Sequence, residues 1–125
     1  MQASELVGEF WRRIQARNWD RLAELLAEDF TVDWPNAGLR IRGRDAFVDF
    51  NRVYPEGWSI ELLGLVAEGA TVACEVRVPH PTVGPHYLLA IYEVEDGRLT
   101  RGREYWVEER REQPTPERAR WFEPM

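Results

Sequence analysis

"YEVEDGRLTRGREYWVE", residues 92–108, decides how this chain is read. Asp96-Gly97 at its centre is a tight-hairpin signal, because both residues tolerate the positive φ that such turns require. The flanking residues give two strands, 86–95 and 98–109, joined by that turn. Two more strand-length segments precede them, roughly 58–68 and 70–79. "AEGA" separates these two from each other, and "PHPTVGPH" separates the second from the hairpin. Within the segment 70–79, "ACEVRV" (73–78) alternates in period two. Glu75 and Arg77 therefore share one face, and Cys74, Val76 and Val78 share the other. The spacing leaves open whether the charged pair faces a pocket, solvent or a dimer interface.

Upstream of residue 58 the period changes from 2 to 3.6. Leu6, Val7, Phe10, Trp11 and Ile14 recur at helical spacing, with Ser4 as the expected N-cap. Asn18 is expected to cap a second helix that buries Trp19, Leu22, Leu25 and Leu26. Phe30 to Trp34 reads as a short strand ended by "PNAG". Gly43 opens a third helix carrying Phe47, Phe50, Val53 and Tyr54 on one face, and "YPEG" stops it. Helices followed by a run of antiparallel strands define an α+β protein, with the helices packed on one face of a curved sheet. A single domain is expected over 1–112. In the Pro-rich tail, 113–125, a helical turn from Pro116 is expected to carry Trp121 and Phe122 back onto the body or onto a dimer partner.

Composition narrows the function. A chain of 125 residues with no internal repeat suits one domain and one core. A formal charge of −6 argues against nucleic acid or an anionic membrane as the main partner. All sixteen basic residues are Arg, which removes Schiff-base and P-loop lysine chemistry. Cys74 is the single cysteine, so no intramolecular disulfide forms. There is neither a signal-peptide pattern nor an apolar run near the ~20 residues of a membrane span, so a cytoplasmic protein is the expectation.

"LAELLAEDFTVDWP", "GLRIRGRDAFVDF" and "YEVEDGRLTRGREYWVE" together resemble the nuclear transport factor 2-like superfamily, in its SnoaL-like branch. The resemblance covers about residues 4–110. It implies a cone, in which a bent sheet wraps helices around a pocket, and commonly a homodimer through the outer sheet face. The fold serves isomerases, cyclases, epoxide hydrolases and non-catalytic relatives, so it does not itself name an activity.

Carried over residue by residue, the ketosteroid isomerase pattern departs at three places. Phe10 stands at the helix tyrosine, Trp34 at the base (with Asp33 one residue before) and Ala90 near the protonated acid. Phenylalanine cannot donate to an oxyanion and alanine cannot replace an acid. The limonene epoxide hydrolases resemble the chain differently. Their Arg-x-Asp becomes Glu75-Val76-Arg77 in reverse order, and Glu104 falls on their last-strand carboxylate. That likeness implies a cluster of Glu104 as base, Glu75 as acid partner and Arg77 as clamp. SnoaL-like cyclases imply a pocket carboxylate, Glu104 or Asp33, assisted by His86. Asp33, Trp34, Tyr92, Trp11, Phe10 and His86 are the expected ligand contacts. His80 and His86 match no metal motif, and neither metal nor cofactor is expected. The expected function is binding of a small apolar or polycyclic molecule, with cofactor-independent acid/base chemistry on it. The alternative is a non-catalytic ligand-binding or dimerisation domain.

Overall fold

A computed structural model describes residues 1–125. Three helices, α1 (Ala3–Gln15), α2 (Trp19–Ala23) and α3 (Arg44–Val53), accompany six strands. The strands are β1 (Leu26–Trp34), β2 (Leu39–Arg42), β3 (Glu61–Glu68), β4 (Thr71–Val78), β5 (His86–Glu95) and β6 (Arg98–Glu108). They form one sheet in the order β2-β1-β6-β5-β4-β3, antiparallel throughout except for the parallel β1–β6 pair. This is the expected α+β cone. Register shifts in β1–β6, β3–β4 and β5–β6 bend the strands, as bulges do.

The predicted helical stripe Leu6, Val7, Phe10, Trp11 and Ile14 is buried as one face of α1. The entry to that helix differs from expectation. Gln2, not Ser4, stands at the N-cap, and its backbone N–H donates to the Glu5 carboxylate at 3.1 Å. Helix α2 ends at Ala23, before Leu25 and Leu26, because Leu26 pairs with Leu99 at the start of a nine-residue β1. Strand β2 answers to the short "LRIR", too brief to show a period. Val53 of α3 is exposed, while Phe47 and Val48 are buried. The tail contains the short turn Ala119–Trp121. Trp121 and Phe122 are 68% and 65% exposed, so the expected packing on the chain's own body is not formed.

The cross-strand rows place the site. Leu65, Cys74, Ala90 and Glu104 are consecutive Cα partners across β3 to β6, and the three from Cys74 to Glu104 are buried on the concave, helix-covered face. The neighbouring row, Gly64, Glu75, Leu89 and Tyr105, points to the convex face because side chains alternate along every strand. Gly102 of β6 has a specific packing role. A Cβ there would meet the Tyr92 ring at 2.7 Å, so glycine leaves the space in which Tyr92 lies flat against the sheet.

Candidate functional site

Between α1, α3 and the concave face is a cavity of about 310 Å3. That is at the low end of the range for small-ligand sites, roughly 300–1,000 Å3. Helix α1 contributes Trp11 and Ile14, α3 contributes Phe47 and Phe50, and the sheet contributes Trp34 and Trp106. Tyr54, Trp58, His80 and Val83 come from the loops at the open end. Helical spacing in the sequence points to Trp11, Phe47 and Phe50 as inward-facing residues of α1 and α3. Trp34 and Phe50 meet edge-on at 5.6 Å, and Trp34 and Trp106 at 6.5 Å, so the wall is an aromatic cage.

Glu104 is the acidic group in this wall, and it is 4% exposed. Three donors converge on it. The Tyr92 hydroxyl donates to Oε2 at 2.5 Å, Trp34 Nε1 to Oε1 at 3.1 Å, and Trp106 Nε1 to Oε1 at 3.3 Å. No arginine lines the cavity. Burial without a counter-cation pushes the Glu104 carboxyl above its ordinary range, and the three hydrogen bonds only partly oppose this. Burial, with the neighbouring Glu104 charge, raises the Tyr92 phenol well above its usual range as well. Tyr92 therefore acts as a hydrogen-bond donor.

His80 fastens the open end of the cavity. Its Nε2 is 2.9 Å from the Pro55 carbonyl, and its Nδ1 accepts from the backbone N–H groups of Thr82 and Val83 at 3.1 and 3.2 Å. The loop after α3 and the loop before β5 are thereby tied together. Arg17 braces the same region, with its guanidinium 3.3 Å from the Trp58 ring centroid and bonded to Glu56.

Glu104, Trp34, Trp11 and His86 all line the cavity, as the sequence suggested. Tyr92 and Phe10 are fully buried behind the wall, their rings 5.3 Å apart. The hydroxyl that Phe10 lacks is thus delivered to the same neighbourhood by Tyr92 from β5. The expected cluster of Glu75, Arg77 and Glu104 does not assemble. Glu104 has the parity of Cys74 and Ala90, whereas Glu75 and Arg77 have the opposite parity and emerge on the convex face. There Arg77 bonds Glu109 at 2.8 Å and Glu61 at 3.2 Å, and Glu75 is exposed. Asp33 also lies outside the cavity, paired with Arg40 at 2.5 Å and reached by Arg101 at 3.5 Å. The Arg40 bond, with Arg101 behind it, keeps the Asp33 carboxyl below its ordinary range. Trp106 was missed as a donor to Glu104, although the two-residue spacing in "EYW" already puts both side chains on one face.

The SnoaL-like domain family matches residues 7–102, and the chain belongs to that family. Solved structures agree. A protein from Kribbella flavida DSM 17836, provisionally assigned as a ketosteroid isomerase, is 29% identical with a TM-score of 0.90, over 99% of this chain and 90% of that one. An epoxide hydrolase of M. tuberculosis resembling limonene epoxide hydrolase is 23% identical, with a TM-score of 0.71, over 83% and 81%. A protein from Sinorhizobium meliloti provisionally assigned as a polyketide cyclase is 22% identical, with a TM-score of 0.71, over 83% and 99%. The last two share the fold alone. No curated protein matches the chain. Structures of this fold thus include proteins assigned as isomerase, epoxide hydrolase and cyclase. No helix here is long and apolar enough to cross a membrane.

Proposed function

We propose that this protein binds a small, neutral, apolar molecule in the cavity and moves a proton on it with Glu104, without a cofactor. The observation that carries the reading is a buried carboxyl in an aromatic wall that holds no cation. Such a carboxyl is a stronger base than a free glutamate once ionised, and its three donors fix its orientation. An anionic ligand is disfavoured, since it would meet Glu104 with no arginine to offset it. Among the reactions of the family, proton transfer at a carbon next to a carbonyl fits a single carboxyl. Epoxide opening by an Arg–carboxylate pair does not, because Arg77 is on the other face.

The test uses 2-tetralone in deuterium oxide, with α-proton exchange followed by NMR. Glu104 takes the α-proton, the enolate is left in the apolar cavity, and a solvent deuteron returns to carbon. The wild type accelerates exchange and Glu104→Gln does not. Exchange at the same rate in both proteins refutes the base. Binding without exchange would leave the non-catalytic ligand-binding reading in its place.

The convex face supports a homodimer as the assembly. Leu89, Val107 and Val66 are 53%, 56% and 68% exposed there, together with Tyr105, and such a patch is rarely left bare. Sedimentation equilibrium giving the 14.7 kDa mass of one chain at micromolar concentration refutes this.

A further inference from the structure

His86 stands far along the cavity from Glu104. It is the Cα partner of Glu108, four residues beyond Glu104 on β6, which places it about 13 Å along the strand axis at about 3.3 Å per residue. Both residues line the same cavity. The His86 ring has a defined polarity. Nδ1 is 3.0 Å from the Gly84 carbonyl, and a carbonyl only accepts, so Nδ1 carries a proton. In the neutral imidazole this leaves Nε2 with a bare lone pair, and no protein donor reaches it. Among the other polar groups of the wall, the Asn51 amide N–H donates to the Phe47 carbonyl and both His80 nitrogens are bonded, while the indole N–H groups of Trp11 and Trp58 are unpartnered donors. One end of the cavity thus offers a carboxyl and the other the acceptor Nε2 of His86, with largely aromatic surface between.

Resting on the ligand-binding reading above, we propose that the ligand is an elongated apolar molecule with a hydroxyl, or an equivalent neutral donor, at the end remote from Glu104, and that Nε2 of His86 accepts it. His86 then determines specificity and does no chemistry. A carboxylate or phosphate at that end is disfavoured, because the wall has no arginine and Glu108 is the cross-strand neighbour of His86. An ether at that end brings an acceptor to the acceptor of His86 and forms no hydrogen bond with it.

Three probes separate these cases by tryptophan fluorescence titration: biphenyl, 4-hydroxybiphenyl and 4-methoxybiphenyl. A neutral hydrogen bond contributes about 1 kcal/mol, so 4-hydroxybiphenyl should bind roughly fivefold more tightly than the other two. His86→Phe should abolish that preference while keeping affinity for biphenyl. His86→Gln, which keeps an acceptor and is a less drastic change, should retain part of it. Glu104→Gln should leave it intact. Equal binding of all three probes by the wild type refutes the hydroxyl proposal and leaves the cavity reading standing. A preference that survives in His86→Phe but disappears in Glu104→Gln also refutes it, because the hydroxyl would then sit on Glu104. Binding of none of the probes overturns the cavity reading and this proposal with it.

Discussion

Tyr92→Phe isolates what holds the Glu104 charge inside the cone. The substitution removes one oxygen from a fully buried ring and leaves the packing against Phe10 in place. What is lost is the 2.5 Å donor to Oε2, leaving the two indoles at 3.1 and 3.3 Å. A hydrogen bond to a charged group contributes about 1.5–3 kcal/mol, and one between neutral groups about 0.5–1.5 kcal/mol. The cost of the substitution should therefore depend on whether Glu104 is ionised. Its folded pKa lies above the ordinary 4.5, so the folded state binds the proton more tightly than the unfolded chain does. The stability associated with this group is fully present below 4.5 and is lost as pH rises through the folded value. Tyr92→Phe moves the folded value further up and so enlarges that loss. Urea unfolding at pH 8 should show a destabilisation of about 1.5–3 kcal/mol relative to wild type, and at pH 4.5 less than about 1.5 kcal/mol. An equal cost at the two pH values would mean that the Tyr92 hydroxyl does not discriminate between the charged and neutral forms of Glu104, and the account of Glu104 as a donor-held carboxylate would be wrong.

Gly102→Ala should cost about 1–3 kcal/mol by driving a methyl into the Tyr92 ring, and the thermal midpoint should fall accordingly; an unchanged midpoint refutes the close approach. Arg77→Ala should cost less than about 1 kcal/mol in chemical denaturation, since its partners Glu61 and Glu109 lie on the solvent side of the sheet; a loss of 3 kcal/mol or more would place it in a buried network. Burial pushes the Cys74 thiol up to about 11, so alkylation by iodoacetamide at pH 8 should be far slower in the native protein than in urea, and equal rates would contradict its burial. Leu89→Glu should shift sedimentation toward the single-chain mass if the convex face is the dimer contact, and an unchanged dimer would locate that contact elsewhere.

Local periodicity determined much of this protein. The stripe on α1, the Asp96-Gly97 turn, the strands from Thr71 to Glu108 and the α+β class all follow from spacings of two, three and four residues. Glu104 was legible through the likeness to the epoxide hydrolases, and Trp11 through the helical stripe on α1. Periodicity assigns residues to two faces but does not say which face is covered. Glu75-Val76-Arg77 alternates as cleanly as Glu104-Tyr105-Trp106, and only the cross-strand register shows that Glu104 shares the concave face with Cys74 while Glu75 and Arg77 share the convex one. The four-residue β2 and the early end of α2 were also beyond local reading, since pairing with β1 and β6 set their limits. The site is decided at the same level. Trp34 and Tyr92 lie 70 and 12 residues before Glu104, and no spacing in the chain announces that their donors meet on one carboxyl. That meeting depends on the parallel β1–β6 pairing and the bend of the sheet, which bring distant strands together and remove the water that would otherwise solvate the charge.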